Sequence, residues 1–306
     1  MFKLLDEIII KSTLKENKGK LASYIPALLE ADPNDIGVSI YDIEKNEYYF
    51  SGNVDKKFTI QSISKVLSLI LALLDNGKDE VLKKVNVEPT GMGFNSIVNL
   101  EVKESARPHN PMINAGAIVT TSLIKEGDGE SKLQRILNFL EKVTDNKEVK
   151  INEAVYQSEK ETGDRNRSIA YFMKSTGILE GDVEEILDLY FKHCSIELSA
   201  IDLAKFASVI ANDGVIPWSG EKIITKEICR IVKTIMVTCG MYDASGEFAV
   251  RVGIPAKSGV GGGILGVVPR RYGIGIYGPA LDEKGNSYYG TEILEELSKE
   301  LRLSIF

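Results

Sequence analysis

Histidine and cysteine are scarce in this chain of 306 residues, with two of the first and three of the second. His109 stands alone, and His193 is followed directly by Cys194, a spacing that fits neither a zinc finger nor an H-E-x-x-H helix. Metal chemistry therefore has no foothold in the pattern. Cys194, Cys229 and Cys239 are an odd number without framework spacing, which reads as reduced thiols in the cytoplasm. No basic cluster offsets a net charge of −7, so nucleic acid and anionic membranes are excluded as main partners. The longest apolar stretch, Val66–Leu74, is far short of the roughly 20 residues a bilayer requires. The N-terminus, Met1-Phe2-Lys3-Leu4-Leu5-Asp6-Glu7, has acids inside its apolar run and reads as no secretory signal.

Hydrophobic residues make up 43% of the chain, enough for a large core. The ends and the middle differ in character. Ile36–Asp42 and Tyr48–Phe50, joined through Glu44-Lys45-Asn46, predict a hairpin. Gly19–Leu29 has apolar residues at helical spacing and should form a helix stopped by Asp32-Pro33-Asn34. From Ser62 to about Met236 the pattern is mainly helical, with Leu133–Val143, Ser168–Met173, Val183–Phe191 and Ala200–Ala211 separated by Gly, Asp and Asn. Short strands are predicted at Phe248–Val252, Ile254–Lys257, Gly263–Val268 and Tyr272–Tyr277, and a closing helix at Glu292–Leu301. The fold class is thus α+β, an antiparallel sheet built from both chain ends with helices inserted. One catalytic domain is expected over 1–306, with a sheet part at about 1–61 plus 246–306 and a helical part at about 62–245.

Two glycine motifs match G-x-G-x-x-G, at Gly261–Gly266 and Gly273–Gly278. A dinucleotide loop needs a helix directly after the glycines. Val267-Val268-Pro269 follows the first and Pro279 the second, so both read as glycine-bearing strands or close backbone approaches.

The chemistry centres on Ser62. S-x-x-K starts at Ser12, Ser62, Ser122 and Ser219, and three of these read as ordinary caps or solvated residues. Ser62 differs in context, lying between the hairpin and the apolar run Val66–Leu74, which Asn76-Gly77 should stop. At a helix N-terminus, backbone N–H groups and the helix dipole favour negative charge. Residues i and i+3 share a face, so Lys65 can reach the Ser62 hydroxyl. Lys257-Ser258-Gly259 supplies a K-[ST]-G, and with S-x-x-K this makes two of the three landmarks of penicillin-recognising serine enzymes. The third, S-D-N, does not occur.

The chain resembles the serine-dependent glutaminases, bacterial and kidney-type. The resemblance runs from Tyr24-Ile25-Pro26 to Arg270-Arg271-Tyr272-Gly273-Ile274. It rests on Gln61-Ser62-x-x-Lys65, Asn110–Ala117, Ser158-Glu159 with Arg165-Asn166, Cys239–Asp243, and Lys257–Gly263, in that order. It implies a β-lactamase/transpeptidase-like fold and hydrolysis of L-glutamine to L-glutamate and ammonia. By the same resemblance Ser62 is the nucleophile, Lys65 its base and Tyr242 a proton shuttle. The N–H groups of Ser62 and Val260 form the oxyanion hole. Tyr24, Gln61, Asn114, Glu159, Asn166 and Tyr190 hold the amino-acid end of the substrate. No cofactor is implied, and a homodimer or homotetramer is. Two other readings share the landmarks: a penicillin-binding or β-lactam-hydrolysing enzyme, and an amino-acid sensor without turnover.

Overall fold

The β-branched and aromatic runs near the N-terminus form the predicted hairpin. In the computed structural model, which describes residues 1–14, 16–91, 93–97, 100, 107–127 and 131–306, helix α1 (Phe2–Thr13) precedes strands β1 (Gly37–Asp42) and β2 (Glu47–Gly52). Lys15, in the S-x-x-K that starts at Ser12, lies outside the described residues. A two-residue strand β3 (Phe58–Thr59) leads through a 3-10 turn, Gln61–Ile63, into helix α2 (Ser64–Lys84). Helices α3 (Asn114–Ser122) and α4 (Lys132–Thr144) follow, then β4 (Lys150–Ile151), α5 (Glu153–Glu161), α6 (Asp164–Ser175), α7 (Val183–Cys194) and β5 (Ile196–Leu198). After α8 (Ala200–Ala211), α9 (Lys226–Cys239) and α10 (Ser245–Arg251), the chain returns to the sheet with β6 (Ala256–Ser258), β7 (Gly263–Val268) and β8 (Tyr272–Tyr277), and closes on α11 (Tyr288–Leu301).

The main sheet has the order β2-β1-β8-β7-β6, every pair antiparallel. Both chain ends therefore build it, and its centre is the pairing of β1 with β8. One face packs Val38, Ile40, Ile274 and Ile276 against Leu5 and Ile8 of α1 and Ile293 and Leu297 of α11. On the other face β8 presents glycines, Gly275 opposite Ser39 and Gly273 opposite Tyr41, while Leu265, Val267 and Tyr277 join a second core. A Cβ on Gly275 would sit 2.0 Å from the Ala200 carbonyl oxygen, and one on Gly273 2.1 Å from that of Ala204. Helix α8 thus lies directly on the sheet backbone. The second G-x-G-x-x-G is this contact, as its strand context predicted.

Helix α2 is buried on all sides from Ser64 to Leu73, as an apolar run without a polar face requires. Its predicted stop is instead a kink. Gly77 takes φ 76° and ψ 165°, and helix resumes to Lys84. The Asn76 side chain donates to the carbonyls of Ala72 and Leu123 at 3.0 and 2.7 Å, satisfying the turn that the kink opens.

Two other expectations are corrected. Gly19–Leu29 forms no α-helix, since Lys20 bridges to Leu281 and only Pro26–Glu30 makes a 3-10 turn. Phe248–Val252 lies in and just after α10 rather than in a strand. Phe248 and Val252, four apart, are buried while Val250 is 88% exposed, a helical rather than alternating pattern.

Candidate active site

Three pieces of backbone converge on the start of α2. The small sheet β3-β5-β4 fixes the approach, where the Ile60 N–H donates to the Ile196 carbonyl at 2.9 Å. The next residue, Gln61, has φ 48°, in the left-handed region that ordinary residues avoid. The turn after β6 then packs on this approach: a Cβ on Gly259 would lie 2.5 Å from the Ile60 oxygen, and one on Gly261 2.2 Å from that of Thr59. Glycine at both positions lets Val260 come alongside Ser62. The third piece is the turn after α9, where Tyr242 has φ 52°. A non-glycine residue held there costs roughly 1–3 kcal/mol, supplied by its surroundings.

Ser62 therefore stands in the first turn of the helix, and Lys65 lies one turn on. Lys65 Nζ donates to Ser62 Oγ at 3.0 Å and to Asn114 Oδ1 at 2.7 Å. Asn114 Nδ2 in turn donates to Asn166 Oδ1 at 2.9 Å. Serine, lysine and two asparagines form one hydrogen-bonded line from three helices. Lys65 is fully buried, and that desolvation pushes its pKa down to about 8, against the opposing pull of Cys194 and Glu159. Among the described residues, none of the other S-x-x-K serines receives a lysine. Ser122 Oγ donates to the Val119 carbonyl, and Ser219 Oγ accepts from the Glu221 N–H.

A cavity of about 100 Å³ opens over Ser62. Tyr24, Gln61, Ser62, Asn114, Glu159, Asn166, Tyr190 and Val260 all line it. Among the described residues that line it, Glu159 is the one acid. Burial pushes its carboxyl up to about 7, while Lys65 and a hydrogen bond from Gln61 hold it lower than burial alone would. Tyr24 is 54% exposed as a residue, but its phenol is shielded and its pKa raised, first by burial and then by Tyr242 and Glu159. Tyr190 is buried and likewise raised.

Tyr242 does not itself line this cavity but packs beside it, with its ring 5.0 Å from that of Phe94, which does. Burial raises its pKa, and the nearby Ser62 hydroxyl and Val260 N–H oppose that. Its hydroxyl makes no hydrogen bond of ordinary geometry. A buried hydroxyl left so costs about 1–3 kcal/mol, a cost that functional groups often carry.

Every predicted site residue is thus in this neighbourhood. Phe94, Asn95 and Cys194 also line the cavity and escaped sequence reasoning. Phe94 packs 5.6 Å from Lys65 Nζ and so helps keep it dry. Arg165 Nε donates to the Asn95 carbonyl at 2.9 Å, closing one rim. His193 has a plain structural role: its Nε2 hydrogen-bonds Thr121 at 2.9 Å, and burial pushes its pKa down to about 3. Cys194, Cys229 and Cys239 are all buried free thiols. No helix among the described residues is long and apolar enough to cross a membrane.

A serine just before α2, a depressed lysine three residues on and a facing K-S-G strand are carried on a β-lactamase-like fold. The comparisons narrow this. The family model described as Glutaminase matches residues 19–306, and the chain belongs to that family. It is 60% identical over its whole length to glutaminase 2 of Clostridium perfringens, and covers all of that protein. It is also 60% identical to a glutaminase of Clostridium tetani, over 99% of this chain and 98% of that one. Among solved structures, a Bacillus subtilis glutaminase in covalent complex with 5-oxo-L-norleucine, formed by reaction with 6-diazo-5-oxo-L-norleucine, superposes with a TM-score of 0.87 at 38% identity. That match covers all of this chain and 98% of the other.

Proposed function

We infer that this chain hydrolyses L-glutamine to L-glutamate and ammonia through an acyl-enzyme on Ser62. The observation that carries the mechanism is Lys65 Nζ at 3.0 Å from Ser62 Oγ, with its pKa pushed down to about 8. An ordinary lysine is neutral in only about one molecule in 2,500 at pH 7. At a pKa of about 8 the neutral fraction is roughly one in ten.

Neutral Lys65 takes the Ser62 proton as Oγ attacks the side-chain carboxamide carbon. The oxyanion that forms is held by the N–H groups of Ser62 and Val260, donors already aimed at the point where the charge develops. The C–N bond then breaks. The proton on Lys65 passes by way of Tyr242 to the leaving nitrogen, which departs as ammonia. Water attacks the ester, gives its proton to Lys65, and releases glutamate as Ser62 regains its hydrogen. Glu159 takes the substrate ammonium, a charge-assisted contact. Tyr24, Gln61, Asn114, Asn166 and Tyr190 bind and orient the rest of the amino-acid end. An analogue lacking those groups would leave them buried and unpaired, which is a strong form of rejection.

The whole of 1–306 acts here as one catalytic unit, a cytoplasmic homodimer or homotetramer whose mass in solution tests the assembly. The route itself needs no metal or organic cofactor, because Lys65 supplies the base. The test is release of ammonia and glutamate from L-glutamine by wild type and Ser62→Ala. Loss of at least about 10⁴-fold in kcat is expected. Undiminished turnover in the mutant would sink the mechanism. Labelling of Ser62 by a fluorescent penicillin would favour the penicillin-type reading, and tight glutamine binding without ammonia release the sensor.

A further inference from the structure

Among the described residues Lys257 is, with Lys65, one of two fully buried lysines, and the mechanism above does not use it. It lies on β6, the strand facing the start of α2, yet it is absent from the lining of the substrate cavity. Its Nζ donates to the Ser258 carbonyl at 2.6 Å and to the Gly240 carbonyl at 3.1 Å. The same nitrogen stands 4.3 Å from the ring centroid of Tyr242. An ammonium has three donors and no acceptor. Here two carbonyls and one aromatic face meet those three donors. A neutral amine would turn its lone pair toward one of these electron-rich partners. Among the described residues no carboxylate pairs with it. Burial and the charge of Lys65 both work against its protonation, so the site holds this cation at a cost.

The cost is spent on one small piece of backbone. The Gly240 carbonyl accepts from Lys257 Nζ and also from the Ser258 N–H at 3.1 Å. Gly240 is seated so tightly that a Cβ on it would lie 1.8 Å from the Ala256 oxygen. Two residues later comes Tyr242, at φ 52°. Strained backbone persists only where its surroundings over-determine it. Lys257 holds both ends of this segment, the Gly240 carbonyl by hydrogen bonds and the Tyr242 ring by cation–π attraction.

We propose that Lys257 is a positioning residue that acts through Tyr242. Its ammonium fixes the strained Gly240–Tyr242 turn to the sheet and holds the phenol toward Ser62, with a positive charge on the ring face that favours transient loss of the phenolic proton. The proposal rests on the proton-shuttle reading of Tyr242 given above.

A double-mutant cycle on the full-length enzyme tests it, with L-glutamine as substrate. Lys257→Met removes the charge at similar volume. The variant should keep its melting temperature or gain, since a buried charge is replaced by an apolar chain. Its kcat should fall about 100-fold with KM within about threefold, because the loss is confined to the transition state. Lys257→Gln keeps a donor without the charge and should remain at least about 30-fold down; it also stands in if the methionine variant fails to fold. In a Tyr242→Phe background either change should cost less than about threefold more. Wild-type kcat in Lys257→Met, full recovery in Lys257→Gln, or an undiminished loss in the Tyr242→Phe background would each overturn the proposal. Should Tyr242→Phe alone retain full kcat, the shuttle reading itself falls, an outcome distinct from the other three.

Discussion

The two sides of the main sheet's neighbourhood are built on opposite terms. Where α8 meets β8, Gly273 and Gly275 let the helix backbone rest on the sheet, and α8 opens with a full capping box between Ser199 and Asp202. The capping box meets the open groups at that end of the helix, although the Ser39 hydroxyl beside Gly275 makes no hydrogen bond of ordinary geometry among the described residues. Where α2 meets β6, two lysines are buried, Gln61 and Tyr242 are strained, and among the described residues the hydroxyls of Tyr242 and Ser258 make no hydrogen bond of ordinary geometry. The first region contributes stability and has no chemistry to do. The second gives up stability at the place where we propose the chemistry occurs. Strain and desolvation concentrated in one seam are what a pre-organised site requires.

The largest effect expected from breaking this contrast is at Lys65. Lys65→Met should lower kcat by at least about 10⁴-fold, since Lys65 is the amine hydrogen-bonded to the Ser62 hydroxyl. The same variant should melt no lower than wild type, because a desolvated amine gives way to an apolar chain. Calorimetry alongside a coupled glutamate assay checks both. A clear fall in melting temperature would mean that the site contributes stability after all.

Gly275→Ala is the converse. A Cβ 2.0 Å from a carbonyl oxygen forces helix and sheet apart, an overpacking of about 3 kcal/mol or more. The melting temperature should fall by about 6 °C or more. The kcat of the molecules that remain folded should be unchanged. A large drop in kcat at full folding would show that the α8 contact also tunes the site.

These two positions also mark what the sequence made legible. Ser62 and Lys65 could be read directly, since an i,i+3 pair at the start of an apolar run is local geometry. Asn114, Glu159, Asn166, Tyr190 and Tyr242 came from ordered motifs, because residues from separate helices share no spacing that reveals contact. Phe94 and Cys194 carried no motif, and only tertiary packing brings them to the cavity. The fold shows the same divide. The hairpin and the long helices follow their periods, while β3, β4 and β5 are too short to carry one. Phe248–Val252 has strand-forming residues but buries them four apart, so packing overrode propensity. The kink at Gly77 escaped for a similar reason, since a glycine with φ 76° can end a helix or bend it.

Glu159→Gln sharpens the contrast within the site. The change keeps the shape and removes the charge that meets the substrate ammonium. We expect kcat/KM to fall about 100-fold, equivalent to about 2.7 kcal/mol, mostly through KM. Stability should hold or rise, because burial disfavours the ionised carboxylate it removes. Steady-state kinetics with L-glutamine checks the first and thermal melting the second. A variant with wild-type KM would put the ammonium elsewhere.

The last effect concerns pH, and its sign follows from two opposed burials. Desolvation lowers Lys65 to about 8 and raises Glu159 to about 7. The base must be neutral and the acid ionised, so both requirements are met as pH rises. The free enzyme's kcat/KM should therefore climb from pH 6, steeply below about 7 where both groups titrate. Between pH 7 and 8 it should gain about tenfold more, about fivefold from the neutral fraction of Lys65 and about twofold from the ionised fraction of Glu159. The two groups interact, so the measured values belong to the pair. In Glu159→Gln one titration disappears, and the slope of log kcat/KM below pH 7 should drop from near two toward one. A profile flat from pH 6 to 8 would mean that Lys65 is already neutral or is not the base. A slope unchanged by Glu159→Gln would remove Glu159 from the acid limb and leave Lys65 to account for it alone.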